Sequence, residues 1–108
     1  MIRVKPGVQL SDVQAIAVLI NVAESVYRDH GLNCRITSGI DRPATRVGMG
    51  LHPKGRALDF GIKDHAWAVL PADLVENIAA EMRQALGRDF DVVVELDKVH
   101  IHVEYDPK

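Results

Sequence analysis

Cysteine is nearly absent: Cys34 stands alone among 108 residues, so no internal disulfide can form and the fold does not depend on an oxidising compartment. Cys34 lies in the run Asn33-Cys34-Arg35-Ile36-Thr37, where a buried, unreactive thiol is the expectation. Aromatics are scarce, with one Trp, two Tyr and two Phe, which leaves no base-stacking platform in view. Charge of one sign is lacking as well. A net charge of -2 and a pI near 6.2 give no electrostatic footprint for nucleic acid. No long apolar run is present. Ala15 to Val22 is too short to span a bilayer and belongs to an amphipathic pattern, and Met1 to Leu10 has basic residues with no apolar segment behind them. The chain is expected to be made in the cytoplasm without a signal peptide, to act outside only after release, and to have no nucleic-acid or membrane partner; a monomer is the expected state.

What is present suits one small globular domain over residues 1-108, with 47% apolar and 26% charged residues. Ser11 is an N-cap, followed at roughly helical spacing by Val13, Ile16, Ala17, Ile20, Val22, Ala23 and Val26, with Gly31 as the stop. Cys34 to Ser38 alternates as a short strand, Gly39 to Leu51 reads as a long loop, and Arg56 to Ile62 reads as a second strand. Pro71 is expected at the first position of a second helix. Its apolar face is Leu74, Val75, Ile78, Ala79, Met82, Ala85 and Leu86, and Gly87 closes it. A hairpin ends the chain: Asp91 to Glu95, a Leu96-Asp97-Lys98 turn, then Val99 to Tyr105. The fold class is α+β, an antiparallel sheet with two helices packed against it.

The period of two divides the last strand into an apolar face, Val99, Ile101, Val103 and Tyr105, and a face bearing His100, His102 and Glu104. In the second strand Asp59 lies between the small residues Ala57 and Gly61, which leaves room for an ion or ligand above the sheet. His52 precedes Asp59 across Pro53-Lys54-Gly55, so the loop can fold back toward the carboxylate. Two imidazoles and one carboxylate make a common catalytic zinc set with one position left for water. A general base is then needed, and His100, Asp97 and Glu95 are the candidates. His30 and His65 are expected to be ordinary surface histidines.

The segment His52-Pro53-Lys54-Gly55-Arg56-Ala57-Leu58-Asp59 resembles the His-x-x-Gly-x-Ala-x-Asp motif of the M15 zinc peptidases, a family that includes D-Ala-D-Ala carboxypeptidases and phage endolysins. His100-Ile101-His102 is similar to the family's closing His-x-His strand, and Ile36-Thr37-Ser38-Gly39 to the strand before the site. The same metal site occurs in the signalling domain of hedgehog proteins. The resemblance implies the hedgehog/D,D-peptidase-like fold, with Zn2+ held by His52, Asp59 and His102. It implies His100 beside the metal as the oxyanion partner, with His100 as an alternative ligand. It also implies an acidic base before the closing histidines. Glu95 and Asp97 both qualify, and Glu95, at a strand end where direction is fixed, is favoured. An arginine holds the substrate; Arg42 matches best, with Arg46 and Arg35 as alternatives. The implied activity is hydrolysis of a peptide bond in bacterial cell-wall peptidoglycan, next to a D-amino acid, in a phage-type lysin. The other reading is a zinc-binding structural or interaction domain without peptidase activity. Gly50 stands where many members have Ser, and no separate wall-binding domain is evident, so affinity for peptidoglycan is expected to reside in the cleft.

Overall fold

The computed structural model describes residues 3–5, 7–39 and 56–107. His52, Arg42, Arg46, Gly50 and nearly all of the expected loop lie outside the described residues. The elements are α1 (Asp12–Asp29), β1 (Ile36–Ser38), β2 (Ala57–Gly61), α2 (Ala72–Leu86), β3 (Phe90–Glu95) and β4 (His100–Tyr105). The strands form one four-stranded sheet in the order β1-β2-β4-β3, antiparallel throughout. This is a single small α+β domain. No helix among the described residues is long and apolar enough to cross a membrane.

Helix α1 begins where the Ser11 side chain accepts from the Gln14 N–H and the Gln14 side chain accepts from the Ser11 N–H, a reciprocal capping box. It ends beside Gly31, whose φ of 70° is open to glycine without strain. The buried face differs from the expected one. Ala15, Leu19, Val22, Ala23, Val26 and Tyr27 point inward, whereas Val13 is 82% exposed and Ile20 is also exposed. Ala15 to Ile20 is apolar on every side, so periodicity there cannot choose a face. The second half of the helix, where Glu24 and Arg28 mark the outer side, fixes it.

Pro71 stands at the N-cap of α2 rather than its first turn, because its carbonyl accepts the first helical bond, from the Val75 N–H. Val75, Ile78, Ala79, Met82 and Leu86 are buried as the spacing predicts. The first strand is shorter than expected: Cys34 and Arg35 precede β1, and the pairing of β1 with β2 is irregular between Ile36 and Ser38.

Both helices cover one face of the sheet. Leu58, Phe60, Ile62, Ile101, Val103 and Tyr105 meet Leu19, Val26, Ile78 and Met82 in a single core. The other face carries the polar residues, so the alternation within β2 and β4 separates stability from chemistry. The two are tied at one point. The Tyr27 hydroxyl, from α1, donates to the Gly61 carbonyl at 2.9 Å in a buried contact, and its ring packs on Phe60. Tyr27→Phe strands that carbonyl, and a loss of about 1–3 kcal/mol is expected in chemical denaturation. A variant with unchanged stability contradicts the role given to this bond.

Candidate metal centre

The register sets the site. Asp59 pairs with His102, Gly61 with His100, and Glu95 with His100 from the other side. All four side-chain-bearing residues thus rise from the face that the helices leave bare. The hairpin holds the third pair in place. Leu96–Lys98 form a short 3-10 turn, and Val99 closes it with φ 58° and ψ 44°. A β-branched residue takes up this left-handed conformation only where its surroundings impose it. The sharp turn leaves Glu95 directly opposite His100.

Asp59 is 1% exposed and His100 7%. His102 Nδ1 lies 2.9 Å from Asp59 Oδ1, and its Nε2 lies 2.8 Å from Glu104 Oε1. Both ring nitrogens of His102 thus face carboxylates. The bond to Asp59 raises the His102 pKa above the usual histidine range; burial opposes this, and Glu104 adds to the rise. His100 Nε2 donates to Glu95 Oε1 at 2.8 Å and sits 3.6 Å from Asp59 Oδ1. Burial pushes the Glu95 carboxyl up, but the His100 hydrogen bond and the Lys98 ammonium, 3.4 Å away, pull it below the usual carboxylate range.

Ligand atoms of Asp59, Glu95 and His102 all lie within 4.8 Å of one another, so this group can hold a metal ion. The donor chemistry fits a small divalent cation: one imidazole nitrogen and two carboxylates, one of them buried. A cation bound by Asp59 and His102 would compete with a proton for the same pair. Ser38, buried in register with Asp59, has a hydroxyl with no hydrogen-bond partner among the described residues.

The sequence candidates therefore separate. Asp59, His102, His100 and Glu95 come together. Asp97 is exposed in the turn and stands apart from the group. The positions of His52 and Arg42 lie outside the described residues. Glu104 was not among the candidates, though a signal existed: it shares the face of His102 two residues on, and a ligating histidine is ordinarily oriented by a carboxylate on its far nitrogen. The room expected above Gly61 is not open. The Arg35 guanidinium fills it, with Nη2 2.9 Å from where a Gly61 Cβ would stand.

The other two described histidines, His30 and His65, make structural contacts. His30 joins Glu81 across the two helices, and His65 Nε2 donates to the Gly31 carbonyl at 3.2 Å. Burial chiefly, with the Glu24 charge, pushes the Cys34 thiol up to about 11, so it stays protonated at neutral pH.

No family model, curated protein or solved structure matches the chain.

Because the folded pKa of His102 is raised, its pairing contributes stability fully below the unfolded histidine value, about 6.5, and loses it as the pH rises through the folded value. A metal must displace the same proton. The rise in Tm on adding zinc to chelator-treated protein is therefore expected to be larger at about pH 8 than at about pH 6. Scanning fluorimetry reads the shift, and an equal or larger effect at the acid end contradicts the site.

Proposed function

We propose that the chain is a zinc-dependent peptidase of the M15 type, cleaving a peptide bond in bacterial cell-wall peptidoglycan next to a D-amino acid. The observation that carries the reading is the convergence of Asp59, His102 and Glu95 on one bare sheet face, with Asp59 and His102 at positions that match ligands in the M15-like motifs and Glu95 an acidic residue ahead of the closing histidines. Asp59 and His102, with His52, would hold the metal. Zinc bound there supplies a Lewis acid for the scissile carbonyl and lowers the pKa of water.

The chain's own residues supply the rest. Glu95, partly exposed and kept ionised, accepts a proton from water and returns it to the leaving amine. His100 orients Glu95 through its Nε2–H and offers that donor to the oxyanion as the proton moves. Glu104 fixes the His102 ring so that Nδ1 faces Asp59. Arg42 is the substrate-holding arginine in this reading. The substrate partner is the peptidoglycan peptide, the protein acts as a monomer, and it reaches the wall after release from the cytoplasm, as a phage lysin does.

One observation favours a second reading. Glu95 lies within ligand distance of Asp59 and His102. With His52 these make four protein donors, which is the closed arrangement of a structural zinc site. The chain would then be a zinc-binding structural or interaction domain without peptidase activity. Glu95→Gln separates the two. If Glu95 is the base, the variant keeps its zinc and loses about 100-fold or more of its cleavage rate on purified peptidoglycan. Loss of zinc from Glu95→Gln, or wild-type protein that releases no peptide from peptidoglycan, overturns the peptidase reading.

A further inference from the structure

The metal face carries a buried polar group with nothing to bond to. Ser38 is 6% exposed, and its hydroxyl has no hydrogen-bond partner among the described residues. A hydroxyl shut away from water without a partner lowers stability, so such groups are uncommon and point to a partner supplied from outside the chain. Apolar packing does not account for it either. Ser38 ends a three-residue edge strand and stands in register with Asp59, on the side of the sheet away from the core.

The backbone takes an irregular course to put it there. Ile36 stands opposite Phe60, so an unbroken antiparallel ladder would set Thr37 opposite Asp59 and Ser38 opposite Leu58. Leu58 belongs to the core, and Ser38 would turn toward the helices with it. The irregularity between Ile36 and Ser38 admits one extra residue, and Ser38 stands opposite Asp59 instead. Directly opposed residues of an antiparallel pair share a face, with Cβ atoms about 4.5–5.5 Å apart. The chain returns to the other face at once: a Cβ on Gly39 would stand 3.3 Å from Leu58 Cδ2. Thr37, the extra residue, donates its hydroxyl to the Asp59 carbonyl at 3.4 Å. Bulges of this kind re-aim a side chain beside a site, and here the side chain re-aimed is the orphaned one.

We propose that Ser38 is a positioning residue of the metal centre, whose hydroxyl donates to the Asp59 carboxylate when a divalent cation is bound. In the structure Asp59 Oδ1 has His102 Nδ1 at 2.9 Å. A cation held by both residues competes for that contact, and a second donor keeps the carboxylate from turning as it gives up the ring. Ligating carboxylates are ordinarily hydrogen-bonded in this way, and loss of the partner weakens metal binding. The role has a sign that a packing role lacks: the hydroxyl is a burden in the metal-free chain and a partner in the loaded one. It rests on the metal centre of the reading above, not on the hydrolysis step.

Two measurements read the two states separately: zinc affinity, by competition with a chromophoric chelator, and urea denaturation of chelator-treated protein. Ser38→Ala removes the orphaned hydroxyl and little volume. The metal-free variant is therefore expected to unfold at a urea midpoint equal to or above that of wild type. Its zinc dissociation constant is expected to rise about tenfold or more. Ser38→Thr keeps the hydroxyl on a branched frame suited to a strand, and is expected to hold zinc as wild type does. Unchanged zinc affinity in Ser38→Ala overturns the role. So does a metal-free Ser38→Ala less stable than wild type, because the hydroxyl then has a partner without the ion. Equal loss of affinity in Ser38→Thr assigns the effect to side-chain shape and overturns it too. Wild type that binds no zinc overturns this role and the metal centre together. Zinc-loaded wild type that releases no peptide from peptidoglycan, with affinity still weakened in Ser38→Ala, sinks the peptidase reading and leaves the role of Ser38 standing.

Discussion

A carboxylate that is 1% exposed and lies at the centre of a four-stranded sheet must be compensated, and the structure around Asp59 is arranged to do that. Leaving a buried carboxylate uncompensated costs several kcal/mol, on the order of a large part of a small domain's whole stability. The His102 ring lies 2.9 Å from Asp59, and that of His100 3.6 Å away. Each histidine is in turn held by a further carboxylate, Glu104 or Glu95. The cluster alternates acid and base across β2, β4 and β3 along a single face. Such an arrangement is consistent with a site that exchanges a proton for a cation, since both satisfy the same carboxylate.

The one-sided packing of the helices makes this possible. Strand alternation puts Phe60, Ile101 and Val103 into the core and, on the next residues, Asp59, His100 and His102 onto the opposite face. A slip of one residue in the β2–β4 register would bury the histidines among aliphatic side chains, so the core fixes the geometry of the site. The Tyr27 bond to Gly61 links the two layers at the residue that also admits Arg35.

Much of this was legible in the residues. The face shared by His100 and His102 followed from the period of two, and the hairpin from the Leu96-Asp97-Lys98 interruption between two β-rich runs. The two helices followed from capping and stop signals at Ser11, Gly31, Pro71 and Gly87, and the strands from alternation and the hairpin turn. Three features were hidden for physical reasons. The inward face of α1 was ambiguous because Ala15 to Ile20 is apolar all round. Gly61 read as space for a ligand because nothing local says that Arg35, outside any strand, returns over it. The exposed, positive-φ Trp67 could not be singled out because backbone conformation and exposure are properties of the folded chain. Where Glu95 differed from Asp97, strand direction was the right guide to which side chain reaches the group.

The central claim is a metal bound through Asp59, and the metal content of purified protein tests it most directly. Wild type and Asp59→Ala are expressed alike, checked for the same circular dichroism spectrum, and assayed for zinc by elemental analysis. Bound zinc at about one ion per chain in wild type, and close to none in the variant, is the predicted result. Equal zinc in the two folded proteins, or none in either, contradicts it.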